Sequence, residues 1–149
     1  MGHNLALRQV TTPYVTWACI DDRKKTDAIR AMYKVLCNNE DIDLVYGDCL
    51  VTSIKNETCE QTKSTKLVEH SLNEFSRENM IKCLPGPMPM WRMKMHEEVG
   101  FFDEENHDFA DDWDMWLRAV NSGSKFKKID QITGLYLEGG RSQQDSNLR

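Results

Sequence analysis

No stretch of the 149-residue chain approaches the roughly 18 consecutive apolar residues of a membrane-spanning helix, so no helical span is expected. There is no block of Lys or Arg either. With 19 basic against 24 acidic residues and a net charge of −5, nothing tracks a phosphate backbone, and nucleic acid is not expected as a partner. The five cysteines (Cys19, Cys37, Cys49, Cys59 and Cys83) contain no C-x-x-C pair and are odd in number, which reads as reduced thiols rather than a disulfide frame or a zinc cluster. None of the four histidines (His3, His70, His96, His107) lies three to five residues from another, so no histidine metal site is expected. The opening residues lack the basic region and apolar stretch of a secretory signal, which makes a cytoplasmic location the expectation. Repeats and low-complexity tracts are missing too. With 40% apolar and 29% charged residues, the composition is that of one globular domain over 1–149, ending in a polar tail over 139–149.

What is present alternates strand-like and helix-like segments. Tyr14 to Ile20 is aromatic and β-branched and reads as a strand buried on both faces, at a central position in a sheet. Thr26 is placed to cap a helix whose Ile29, Met32, Tyr33 and Leu36 fall on one stripe, ending near Asn38-Asn39. Asp43 to Tyr46 reads as a second strand, broken at Gly47-Asp48 and resumed over Leu50 to Ile54, which makes a βαβ unit with the first. Lys55 to Lys66 is a polar surface loop. Ser71-Leu72-Asn73-Glu74 has the capping-box pattern of a short helix through Phe75, and the prolines from Pro85 to Pro89 exclude a regular element. A short strand at Met90 to Arg92, a short helix from Lys94 to Val99 closed by Gly100, and a helix carrying Trp113, Trp116, Leu117 and Val120 and stopped by Gly123 follow. Apolar runs at Phe126 to Ile129 and Gly134 to Leu137 complete the pattern.

Two acidic groups stand out. Asp21-Asp22 follows the first strand, where α/β sheets bind ligands; paired hard oxygens suit Mg²⁺ or Mn²⁺ bridged to a phosphate. The alternative is a strand-to-helix turn in which the aspartates bond local amides. Asp111-Asp112, with Asp114, opens the tryptophan helix, where a carboxylate can act as a general base or simply cap the helix. A calcium loop over Asp103 to Asp114 is disfavoured because Asp108 stands where glycine is needed and Asp114 where glutamate is. Trp91, Trp113 and Trp116 are either sugar-facing platforms or core, with Trp116 the strongest core candidate.

Five segments in register, Tyr14 to Asp22, Asp43 to Asp48, Gly86 to Arg92, Gly100 to Asp103 and Ala110 to Arg118, resemble the family 2 glycosyltransferases of GT-A fold. The resemblance implies an α/β mixed sheet flanked by helices, as a partial GT-A (nucleotide-diphospho-sugar transferase-like) domain. The part resembled is the carboxyl-terminal two-thirds, without the amino-terminal nucleotide-binding βαβ half, and Asn4 to Arg8 matches the helix that precedes the first strand. Implied is inverting, divalent-metal-dependent transfer of a sugar from a nucleotide-diphosphate donor to a hydroxyl of a glycan or lipid-linked acceptor. Asp21 and Asp22 fall on the acidic motif that holds Mn²⁺ or Mg²⁺ on the donor diphosphate, with Cys19 where the fullest motif has a further aspartate. Asp112 falls on the catalytic base, and Gly86, Trp91, Arg92, Asp111 and Trp113 on the substrate-binding surroundings.

In that reading the metal ligands and the base lie about 90 residues apart in sequence, as expected when attack and departure occur on opposite faces of a sugar. The alternative is a non-catalytic GT-A remnant that binds sugars or a partner. Loss of the strands beside Tyr14 to Ile20 leaves an apolar sheet edge, from which a homo-oligomer is expected.

Overall fold

The computed structural model describes residues 2–17, 19–106 and 110–139, apart from the His70 side chain. Ala18, His107, Asp108 and all of the polar tail beyond Gly139 lie outside the described residues. Nine helices and strands are described in chain order: α1 (His3–Leu7), β1 (Tyr14–Thr16), β2 (Arg23–Lys24), α2 (Thr26–Asn38), β3 (Leu44–Thr52), β4 (Met90–Arg92), α3 (Met95–Val99), α4 (Asp111–Asn121) and β5 (Phe126–Leu137). No described helix is long and apolar enough to cross a membrane.

The strands form one mixed sheet in the order β1-β4-β3-β5-β2. β4 runs antiparallel to both β1 and β3, while β3 and β5 are parallel. It follows that β1 and β3 run parallel with β4 inserted between them: the βαβ unit exists, split by a later strand. Alternation along β3 sends Leu44 and Tyr46 to one face and Val45 to the other. On the first face they meet Trp91, Trp116, Met115 and Phe126, and on the second Val45 and Met90 meet Met32 and Leu36 of α2. The sheet is therefore covered on both sides, α4 and α3 packing on one and α2 on the other.

Glycine permits the close approaches in this sheet. β5 bulges opposite Gly47 and Asp48, and a Cβ on Gly47 would lie 2.7 Å from the Gln131 carbonyl oxygen. A Cβ on Gly134 would lie 2.3 Å from both the Arg23 oxygen and Met88 Sδ, so only glycine lets β2 lie against β5 here.

Several local expectations change. The first strand ends at Thr16 rather than Ile20, and it is an edge strand, half-buried, not a central one. Ile20 is 98% exposed, because the chain leaves the sheet to build a turn. Thr26 starts α2 but its side chain makes no cap. The segment from Ser71 to Phe75 is not a helix: the Ser71 hydroxyl turns back to the Val68 carbonyl, and only 3-10 turns form, at Glu69–Ser71 and Glu78–Ile81. The interrupted second strand is one strand, β3, irregular at Gly47-Asp48 but continuous, because β5 absorbs the bulge. The two last apolar runs are likewise one strand, β5.

Candidate functional site

Beyond Thr16 the chain is pinned by Trp17, whose indole N–H donates to the Pro87 carbonyl, and then turns, the Asp22 amide donating to the Cys19 carbonyl. Arg23 clamps the turn from outside through the Asp22 carbonyl at 2.8 Å. Asp22 is consequently driven inward, only 6% exposed, and Oδ1 accepts the Leu137 amide at 3.0 Å. This partner is 115 residues away, so Asp22 does not serve the local turn. Its Oδ2 is buried without a hydrogen-bond partner. Burial, opposed by the Leu137 amide and assisted by Asp21, pushes the Asp22 carboxyl up to about 6.

Ligand atoms of Cys19, Asp21 and Asp22 lie within 4.8 Å of one another. A buried, orphaned carboxylate oxygen beside a second carboxylate and a thiol is a donor set that fits a divalent cation. Among the described residues none of Asp21, Asp22 and Asp112 forms an ion pair.

Asp112 sits in the first turn of α4, where its Oδ1 accepts the Trp113 amide at 2.7 Å and its Oδ2 faces the Cys83 thiol at 3.6 Å. Burial raises its carboxyl above the usual range, and that tendency is opposed by the Trp113 amide. The two acidic groups share one neighbourhood. Burial first, then Asp22, Asp21 and Asp112 together, push the Cys19 thiol up to about 11, so the thiol feels the carboxylates of both the turn and the helix.

The other expected site residues divide. Gly86 holds a left-handed backbone (φ 65°) and donates its amide to the carbonyl of Cys83, which places its loop against Asp112. Trp113 is half-buried, its indole N–H donated to the Met80 carbonyl. Asp111 pairs with His3 at 3.9 Å; burial opposes its ionisation, but the imidazole outweighs this and holds the carboxyl below its usual value. His3, Glu104 and Asp111 bring their ligand atoms within 4.8 Å, a histidine–carboxylate group that spacing among histidines alone could not reveal.

Two residues expected on the acceptor side are used inside the fold. Trp91 is not an acceptor-side platform: it is fully buried, edge-on to Trp116 at 5.1 Å, with its N–H on His96. The Arg92 guanidinium donates to the carbonyls of Leu36, Asn39 and Ile42 and so closes the end of α2. The reason is shared. β4 lies between β1 and β3, so its side chains face the two cores. Trp116 is core, as its place on the helical stripe implied.

Composition gave no hint of Lys24. Held in β2 against Gly134, its ammonium donates to the Thr16 hydroxyl and to the Met88 carbonyl, and burial pulls it down to about 8 despite nearby Asp22. Cys83 was also missed as a neighbour of Asp112. A cavity of about 510 Å³ lies at the ends of β3 and β5, lined by Thr52, Ile54, Glu57, Ser64, Lys66 and Glu138 among others, and none of the candidate carboxylates lines it.

No protein-family model matches the chain, and no curated protein matches it. Among solved structures, it is similar to residues 1–349 of TarS from S. aureus, a glycosyltransferase, with a TM-score of 0.67 at 13% identity. The match covers 90% of this chain and 38% of that one. The chain thus spans well under half the length of the structure it matches. The five-stranded mixed sheet and its flanking helices constitute a partial glycosyltransferase-like α/β fold.

Proposed function

We propose that the chain carries the acidic part of a nucleotide-sugar transferase site, of the family 2 type, that moves a sugar from a nucleotide-diphosphate donor to an acceptor hydroxyl with inversion. The supporting observation is the buried, unpartnered Asp22 oxygen in a group with Asp21 and Cys19, with a second desolvated carboxylate, Asp112, held at the start of α4. In this reading Asp22, with Asp21, would hold Mn²⁺ or Mg²⁺, which would supply positive charge against a diphosphate leaving group. Lys24, already committed to Thr16 and Met88, adds fixed positive potential beside that position. Asp112 accepts the proton of the acceptor hydroxyl as the new bond forms, and its raised carboxyl is closer in basicity to neutral pH than a solvated aspartate. The Cys83–Gly86 loop fixes the Asp112 carboxylate from the other side.

A glycan or lipid-linked acceptor fits this chemistry. The alternative, a sugar- or partner-binding remnant without catalysis, draws on the burial of Trp91 and the use of Arg92 as a helix cap, which remove two acceptor contacts. Turnover separates them. Incubated with UDP- or GDP-sugars, Mn²⁺ and a panel of glycan and polyol acceptors, the wild-type chain should release nucleotide diphosphate, and Asp112→Asn should lower that rate about a hundredfold or more with donor binding retained. Unchanged turnover in the variant overturns the role of Asp112, and donor binding without turnover in either protein favours the remnant.

A further inference from the structure

The turn at the end of β1 presents three potential ligands of two chemical kinds. Asp22 contributes a carboxylate, one oxygen of which is buried and unpartnered, and Asp21 a second carboxylate. Cys19 contributes a sulfur that is solvent-exposed, free of any disulfide, and within 4.8 Å of both. Metal–sulfur bonds of about 2.3 Å and metal–oxygen bonds of about 2.1 Å set trans ligands roughly 4.4 Å apart and cis ligands closer. Small side-chain rotations therefore bring all three onto one ion. The two nearby cations are otherwise engaged, Arg23 by the Ile20 and Asp22 carbonyls and Lys24 by Thr16 and Met88, and among the described residues neither forms an ion pair with Asp21 or Asp22.

Resting on the metal-dependent reading above, we propose that Cys19 is itself a ligand of the cation, and that its sulfur makes the site select thiophilic ions such as Co²⁺ and Zn²⁺ over Mg²⁺. The physical ground is ligand softness. Mg²⁺ demands hard oxygen donors in near-ideal octahedral geometry and keeps its water, whereas the later divalent ions accept thiolate. On binding, the sulfur–hydrogen bond breaks heterolytically, the proton passes to solvent and the sulfur lone pair forms the bond to the ion, with no change of oxidation state. Aspartate at this position would remove the discrimination, because its donors are hard.

Co²⁺ is the probe, titrated into the reduced, full-length chain in the presence of UDP. A sulfur-to-cobalt charge-transfer absorption should appear, survive in Cys37→Ser and Cys59→Ser, and vanish in Cys19→Ser. In the last variant calorimetry should still detect Co²⁺, bound at least about tenfold more weakly. A roughly hundredfold excess of Mg²⁺ should leave the band intact in the wild type, whereas in Cys19→Asp Mg²⁺ should displace Co²⁺ readily. Co²⁺ binding without the band, or a band that persists in Cys19→Ser, overturns the inference and leaves the metal reading standing. Absence of Co²⁺, Mn²⁺ and Mg²⁺ binding with UDP present overturns both.

Discussion

His96 shows how one residue's protonation is decided by its neighbours. The Gly100 carbonyl, 3.2 Å from Nδ1, can only accept, so Nδ1 carries the proton, and Nε2 accepts the Trp91 indole N–H at 3.0 Å. Both nitrogens are used by the neutral ring. Burial, against the Gly100 hydrogen bond but with nearby Arg118, lowers its pKa below the ordinary 6.5. The unfolded chain therefore binds a proton that the native one resists. The His96 contribution to stability is complete above 6.5 and is lost as pH falls from 6.5 through the folded value. Urea unfolding at about pH 7.5 and about pH 5 should show this as a drop in midpoint that His96→Leu flattens, the variant being weaker at neutral pH because the Trp91 N–H loses its acceptor. Asp22 works in the opposite direction, its raised carboxyl favouring the native state at low pH, but it does so equally in both proteins. An unchanged pH response in His96→Leu would refute the assignment.

At the scale of elements, the joint between α2 and β4 carries the consequence of Arg92. The last carbonyls of a helix have no intrahelical donor, and here Arg92 supplies 2.5 and 3.0 Å contacts to Leu36 and Asn39 while also holding Ile42 at the entrance to β3. One guanidinium thus ties the end of α2 to two adjacent strands. Arg92→Met keeps the apolar stem and removes the donors, and it should cost about 2–3 kcal/mol in urea unfolding. A residue facing solvent and substrate would shift stability by less than about 0.5 kcal/mol. Arg118 plays a related part on the other face, bridging Asp114 of α4 to the carbonyls of Val99 and Phe101.

At the scale of the molecule, the open side of β1 is the feature that bears on assembly. β1 pairs only with β4 among the described strands, and its outer edge spans three residues, Tyr14 to Thr16, rather than the seven its composition suggested. A short edge is a weaker template than a long one, yet exposed Ile20 and Leu5 add apolar surface. We expect concentration-dependent two-fold self-association, read by sedimentation velocity over a dilution series, and a monomer throughout the series would count against it.

Periodicity marked α2 and α4 as helices, but of the expected stripes Met32, Leu36, Trp116 and Val120 are buried while Ile29, Tyr33 and Leu117 are exposed. The mixed α/β class and the two acidic groups were legible for the same local reason: apolar runs ended at Asp21-Asp22 and began after Asp111-Asp112. What each strand pairs with is not local. The insertion of β4 between β1 and β3 sent Trp91 and Arg92 into the cores, and the pairing of β5 with β3 beside Gly47 and with β2 at Gly134 brought Leu137 to Asp22. Asp22 and Leu137 are 115 positions apart, and Cys83 and Asp112 are 29 apart. Residue types and spacing marked the carboxylates as candidates, but only the register of the sheet decided which of their oxygens would be hydrogen-bonded and which left bare, because that depends on contacts that exist only after the chain has closed.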